Sequence, residues 1–466
     1  MNRVLTPGDA TDPEAAFEAL CEESLAAMEE VHAPGVALGV LYGDAEYTAG
    51  FGVTSLDHPL PVTAETLFQI GSITKTFVGT AIMRLEEAGK LSLDMPLRTY
   101  LPDLRLADED TAARVTLRHC LTHTGGWLGD YFNDFGDGDD ALARMVVAMV
   151  ALPQLTPLGE IWSYNNAGFY LAGRVIEVVT GKPFEAALKE LVLDPLGMSM
   201  TFFYPKDVMT YRFAVGHEAS ETDPHVARPW AIGRASHAAG GLVSCLPDLF
   251  RYARFHMGDG ATSEGARLLA PETMALMQTP ALPAASNEWM GLAWRITNVD
   301  GVRIIGHGGG TNGQKTRLVI VPDKRFALLM LTNYDRGEEA IGRVVDLALE
   351  HYLGLVEPKP MPIVVPEETL AQYVGVYDSA LTVITISLRD GGLVCDLKFK
   401  GGFPNPDSPP PQFQPPPMRA ALCAEDRLMF LAPPLKGGQG EVLRDATGRI
   451  AWLRAGGRVQ KRIKGI

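Results

Sequence analysis

The stretch Gln69-Ile70-Gly71-Ser72-Ile73-Thr74-Lys75-Thr76-Phe77 places a serine one helical turn ahead of a lysine. From about Ile73 to Glu87 the apolar residues Phe77, Val78, Ala81, Ile82 and Leu85 recur at helical spacing, and Gly89 marks the stop. Ser72 therefore sits where a turn meets a helix, with Lys75 on the same helix face. A serine hydroxyl is a poor nucleophile unless a nearby base takes its proton. A lysine can be that base if burial and positive surroundings, including a helix N-terminus, lower its pKa. Taken alone, Ser-x-x-Lys arises by chance in roughly every second chain of this size. An N-cap serine followed by a solvated lysine explains it equally well.

Working outward, Ala16, Phe17, Leu20, Leu25 and Met28 predict an amphipathic helix from Pro13 to Glu30, behind a loose tail at 1–13. Pro34-Gly35 breaks it. Val36 to Tyr42 and Glu46 to Phe51, separated by Gly43-Asp44, predict a β-hairpin. Helical patterns return around 140–151, 166–180, 183–193 and 247–257, and a β-rich stretch spans about 288–333 before a helix near 337–353. Strands at both ends with helices between predict one α+β domain over 14–353, its sheet joining the beginning and end of the segment. Residues 354–366, with four prolines, read as a linker. Residues 367–466 read as a small all-β barrel, with strands at Thr382–Leu388, Leu393–Phe399, Arg427–Leu431 and Ile450–Arg454. The run Pro404–Pro417 inside it reads as a stiff exposed loop.

Composition narrows the function. Of 466 residues, 41 are Lys or Arg and 56 are Asp or Glu, a formal charge of -15 that disfavours nucleic acid and anionic membranes. Five dispersed cysteines without a Cys-x-x-Cys pair read as reduced thiols. No signal peptide and no apolar run of about 18 residues is present, so a cytoplasmic protein is expected.

Two further segments carry chemistry-bearing residues. Ser163-Tyr164-Asn165-Asn166 lies on a loop entering a helix. Tyr164 could relay protons, and Asn166 could hold Lys75 and a substrate carbonyl. Gly306-His307-Gly308-Gly309-Gly310 sits between strand patterns. Glycines there let a substrate pair with the strand while a backbone N–H faces its carbonyl oxygen. The Gly-x-Ser-x-Gly elbow that would make His-Gly-Gly-Gly an α/β-hydrolase oxyanion loop is absent, as are a phosphate-binding P-loop and His-Glu-x-x-His. His123 reads as a turn-fixing residue, and the acidic run Asp134–Asp140 as a solvated loop rather than a calcium site.

The order Ser72-x-x-Lys75, Tyr164-x-Asn166, His307-x-Gly309 has a low chance rate. In that order, and in Leu121–Gly126, Pro195–Met198 and Ala239–Ser244, the chain resembles the penicillin-recognising serine hydrolases. These are the class C β-lactamases, D-alanyl-D-alanine carboxypeptidases, D-aminopeptidases and related esterases. The resemblance covers about 14–353 and implies a β-lactamase-like fold: an antiparallel sheet flanked by helices, plus a helical subdomain. The segment from Leu370 to Tyr377 resembles the start of the lipocalin-like barrels appended to some of these peptidases.

The resemblance also implies an acyl-enzyme on Ser72, with Lys75 and Tyr164 sharing proton transfer and His307 lining the pocket. Asn166, Gly309 and Gly310 would bind substrate, the N–H groups of Ser72 and Gly310 forming the oxyanion hole. No metal or organic cofactor is expected. The partner is a small-molecule or short-peptide substrate, and a homo-oligomer stays open. Where many β-lactamases have Lys-Thr-Gly, this chain has His307-Gly308-Gly309, pointing to esterase or D-aminopeptidase chemistry rather than efficient penicillin hydrolysis. Lys315-Thr316 is followed by Arg317 and is expected past the turn, as a decoy. An acyltransferase using the same intermediate and a catalytically silent scaffold are the alternatives.

Overall fold

The computed structural model describes residues 12–465 apart from 221–222, 231, 286, 404, 412–413 and 434. Residues 1–11 of the expected tail thus lie outside the described residues. The first helix, Pro13–Val31, begins where Asp12 accepts the N–H groups of Glu14 and Ala15 at 3.1 Å each. The chain then enters the hairpin Gly35–Tyr42 and Ala45–Gly52. All eight residues of Gly35–Tyr42 are buried, whereas exposure alternates along Ala45–Gly52, so the first is an inner strand and the second an edge.

From Gly35–Tyr42 the sheet continues through Phe326–Thr332, Gln314–Val321, Val302–Thr311, Arg295–Val299, Glu288–Met290 and Leu282–Ala285, making eight antiparallel strands. Val36 opposite Thr332 and Tyr42 opposite Phe326 close the expected union of early and late segments. Strand periodicity divides the inner strand between two cores. Val36, Leu38 and Val40 meet the paired helices Pro13–Val31 and Gly337–Leu353. Ala37 and Leu41 meet the helical layer, with Phe77, Ile82, Phe169 and Phe250.

The helix Thr74–Glu87 lies inside that second core, and every residue from Thr74 to Met83 is buried. Its Thr76 and Thr80 hydroxyls donate back to the Ile73 and Thr76 carbonyls at 2.8 and 3.0 Å, so the polar side chains bury without orphaned hydroxyls. The other helical patterns appear as Ala141–Ala148, Asn166–Thr180, Phe184–Leu188 and Leu246–Met257. Among the described residues no helix is long and apolar enough to cross a membrane.

After an irregular stretch at 354–366, a second unit closes as an antiparallel barrel of eight strands, the first, Gly375–Asp378, pairing with the last, Arg458–Gly465. Tyr377, Ile384, Ile386, Leu393, Leu422 and Leu453 fill its interior. Four of these strands were expected. Gly375–Asp378, Met418–Ala424, Gln439–Arg444 and Arg458–Gly465 were not, because short length or interleaved polar and basic residues mask their alternation. The proline-rich loop falls partly outside the described residues. All five cysteines are unpaired, and Cys120, Cys245 and Cys395 are buried.

Candidate active site

Gly71 adopts φ 51°, and a Cβ there would come within 2.6 Å of the Gly310 nitrogen. Only glycine suits both the left-handed backbone and that approach. The turn Gly71–Ile73 is thereby pressed against the Val302–Thr311 strand, with Thr316 Oγ1 donating to the Ile70 carbonyl at 3.0 Å. Ser72 emerges at this junction, and Lys75 Nζ donates to its Oγ at 3.0 Å.

Lys75 is fully buried, and its second hydrogen bond goes to the Ala239 carbonyl. Neither partner is a counter-ion. Burial, then the nearby Arg458 guanidinium, hold its pKa well below the usual lysine value, with Asp130 opposing. The amine can therefore be neutral, with a lone pair for the serine proton.

Tyr164 stands beside this pair, its ring centre 5.0 Å from Lys75 Nζ. Burial pushes its hydroxyl up to about 12, while contact with Ser72 and the charges of Arg458 and Arg295 pull the other way. At neutral pH it keeps its proton. The helix Asn166–Thr180 starts immediately after, because Asn165 Oδ1 accepts the Gly168 N–H at 2.9 Å. Asn166 differs from expectation. Its Nδ2 donates to Asp130 Oδ1 at 2.9 Å, while the Lys75 amine is held by Ser72 and Ala239. The buried Asp130 carboxylate needs donors, and the amide answers that demand first.

His307 lies on the Val302–Thr311 strand, buried, with Nδ1 donating to the Gly308 carbonyl at 2.6 Å. Since a carbonyl only accepts, Nδ1 carries the proton and Nε2 is a buried acceptor without a partner. Burial first, then Lys75, push the imidazole down to about 3, so it is neutral. Ladder pairing with Arg295–Val299 ends at Gly306, leaving His307–Thr311 without a strand partner on that side among the described residues. Gly309 shares the face of His307, and a Cβ on it would lie 2.0 Å from the Ile70 carbonyl oxygen. Gly310 points the other way, towards Lys315, which keeps Lys315 on the face turned from Ser72.

Three contributors were missed or underrated. His123 does fix a turn, at φ 57° and with Nδ1 accepting the Asn165 N–H at 3.0 Å. It also stacks under Tyr164 at 4.4 Å, and burial, then Lys75, hold its pKa well below the usual value. Asp130 sat in an unremarkable loop. Arg458 comes from the barrel: its Nε donates to Asp130 Oδ2 at 2.9 Å, and its guanidinium carbon lies 4.8 Å from the Tyr164 ring centre. The only local signal was Gly456-Gly457 ahead of a basic residue, both glycines at positive φ.

The barrel grips the loop that carries Tyr164. Tyr164 N–H donates to the Gly457 carbonyl at 2.8 Å, and Val459 N–H to Ser163 Oγ at 3.1 Å. Trp452 Nε1 donates to the Leu155 carbonyl and Arg454 Nη1 to that of Trp162, each at 3.0 Å. Phe403 meets Phe132 edge-on at 5.0 Å. A cavity of about 690 Å³ lined by Glu185, Phe202, Tyr204 and Arg234 lies apart from Ser72. Its size does not mark the chemistry, since it lacks the Ser72–Lys75 pair.

Comparison with known proteins bears on family and fold. The family described as Beta-lactamase matches residues 22–350. Penicillin-binding protein 4 of Amycolatopsis lactamdurans is 32% identical over 351 residues, covering 72% of this chain and 92% of that protein. A class C β-lactamase structure from Rhodobacter sphaeroides has a TM-score of 0.61 and 25% identity, covering 72% of this chain and 99% of its own. The crystal structure of SurE with D-Leu has a TM-score of 0.74 and 25% identity over 97% of this chain and 100% of its own. SurE thus matches barrel and sheet domain together, where the class C enzyme covers 72% of the chain.

Proposed function

The chain belongs to the β-lactamase family of serine hydrolases, and on that footing we propose that it cleaves an ester or amide through an acyl-enzyme on Ser72. The observation that carries this is Lys75: a fully buried amine bonded to Ser72 Oγ with no counter-ion in contact. Burying an amine this way costs stability and serves no packing purpose, which weighs against a silent scaffold.

In the proposed sequence Lys75 takes the Ser72 proton as Oγ attacks the carbonyl carbon. The N–H groups of Ser72 and Gly310 receive the developing oxyanion, each such donor being worth about 10²–10³ in rate. Tyr164, still protonated, gives its proton to the leaving group and regains one through Lys75. The unpaired edge His307–Thr311 aligns the substrate backbone. Water then attacks the acyl carbon and releases the acid. A neutral His307 offers no cation for a substrate carboxylate, which favours esters and amides over penicillins. Likeness to SurE, solved with D-Leu, supports a D-configured residue at the scissile carbonyl. Transfer to an amine is the second reading, since the free Nε2 of His307 would accept N–H as well as O–H.

Intact mass after exposure to a fluorophosphonate tests the assignment. One adduct on the wild type and none on Ser72→Ala is expected; an adduct that survives the substitution would place the nucleophile elsewhere. Tyr164→Phe keeps the ring stacked on His123 but removes the proton donor. Its acylation rate is expected to fall about 10²–10⁴-fold, and a rate within twofold of wild type would transfer the proton role to another group.

A further inference from the structure

Asp130 lies at the seam between the two units, its side chain only 7% exposed. It accepts three hydrogen bonds: Asn166 Nδ2 at 2.9 Å, Arg458 Nε at 2.9 Å and Arg458 Nη2 at 3.3 Å. Arg458 opens the last barrel strand, and its Nη1 turns back to the Gly456 carbonyl at 3.2 Å. With its guanidinium carbon 4.8 Å from the Tyr164 ring centre, this barrel cation is clamped between a carboxylate of the sheet domain and the tyrosine of the candidate site. Docking alone does not call for such an arrangement. The backbone and indole bonds from Gly457, Val459 and Trp452 already hold the barrel to the 155–164 loop. The Arg458 side chain is 37% exposed on its outer side, so the desolvation cost of the pair falls on Asp130, a cost that a pair made wholly at the rim would not carry.

We propose that Arg458, paired with Asp130, is a positioning residue for the Ser72–Lys75–Tyr164 site, which is complete only when the barrel is seated. This rests on the acyl-enzyme reading above. Arg458 covers Tyr164, Asp130 orders Asn166 at the helix start, and the two charges bear on Lys75 in opposite senses. The guanidinium disfavours the ammonium form and the carboxylate favours it. Around Lys75 also stand Ser72, the Ala239 carbonyl, the rings of Tyr164 and Phe169, and the neutral His123 and His307. Arg295 bears on Tyr164, His123 and His307, while the charges named for the amine itself are Arg458 and Asp130. The pair therefore supplies two opposed full charges on the amine that a substitution can remove one at a time.

The test is the rate of fluorophosphonate labelling of the full-length protein as a function of pH. Labelling rises with pH as Lys75 loses its proton. Arg458→Ala should move that rise to higher pH, and Asp130→Asn should move it to lower pH. Each unit of displacement changes the rate about tenfold on the acid side. Arg458→Lys keeps the charge without the two-pronged grip and should restore the wild-type position of the rise at a reduced plateau. A merely structural role would lower the plateau and leave the pH of the rise unmoved. Where both variants fold, anything short of both opposed displacements overturns the proposal; if Arg458→Ala does not fold, an Asp130→Asn rise that fails to move to lower pH, or an Arg458→Lys rise that moves, overturns it. A wild type that takes no label at any pH instead defeats the acyl-enzyme reading itself.

Discussion

Lys75→Met is expected to abolish acylation of Ser72 while leaving the protein folded. Lys75 is buried completely, surrounded by Ser72, the Ala239 carbonyl and the rings of Tyr164 and Phe169. Methionine reproduces the apolar stem and stops one atom short of Nζ, so the cavity stays nearly filled. What disappears is the lone pair that accepts the serine proton. Loss of the base partner of a serine nucleophile costs about 10⁶-fold in a well-studied protease, and at least about 10⁴-fold is expected here. Stability should hold or improve, because an apolar side chain has no desolvation cost to meet; each kcal/mol regained raises Tm by about 2–4 °C in a domain of this class. Lys75→Arg separates base from charge: arginine imposes a permanent cation and cannot give up its proton, and should be as inactive as methionine. Labelling rates and thermal unfolding of the two variants check this. An active arginine variant would make Lys75 an electrostatic anchor and move the base elsewhere.

Gly309→Ala is expected to damage the site by space alone. The new Cβ would lie 2.0 Å from the Ile70 carbonyl oxygen and 2.3 Å from Thr316 Oγ1, and the first is backbone that cannot swing aside. Strand and Ser72 turn must part, which displaces the Gly310 N–H from the carbonyl position. Acylation should fall about 10²–10³-fold, the scale of losing one oxyanion donor. Forcing a methyl into packed structure should also cost about 1–3 kcal/mol, read as a lower Tm. Gly308→Ala is the comparison, since its Cβ meets nothing closer than 3.6 Å, the side chain of Arg317. A similar loss in both variants would show that the strand tolerates no substitution, rather than that Gly309 keeps the turn in contact.

Much of this was legible in the residue order. The spacing of Phe77, Val78, Ala81, Ile82 and Leu85 after Gly71-Ser72 gives the buried helix and its serine, because helical period and turn chemistry are local properties. The hairpin at Gly43-Asp44 and the β-rich stretch near the end were readable for the same reason, and so was their union in one sheet. The barrel was half legible, since Ile384, Ile386 and Leu388 alternate with Thr385 and Ser387, whereas Arg458–Gly465 carries only Val459 and Ile463 among basic and polar residues.

Partnership was not legible. Asn166 could be seen as an amide beside a tyrosine, but that its Nδ2 goes to Asp130, while Lys75 is held by Ser72 and Ala239, depends on which segments meet there. His123 could be seen to fix a turn, but its place beneath Tyr164 depends on how two loops stack. What the sequence by itself determined is therefore the set of reactive groups and the local backbone that presents each of them. Tertiary structure alone decided their state: that burial holds the Lys75 amine well below the usual lysine pKa, and that Arg458, 328 residues from Asp130, joins the site from another domain. Desolvation and charge proximity act through space, and no local period in the chain encodes which distant segments will share it.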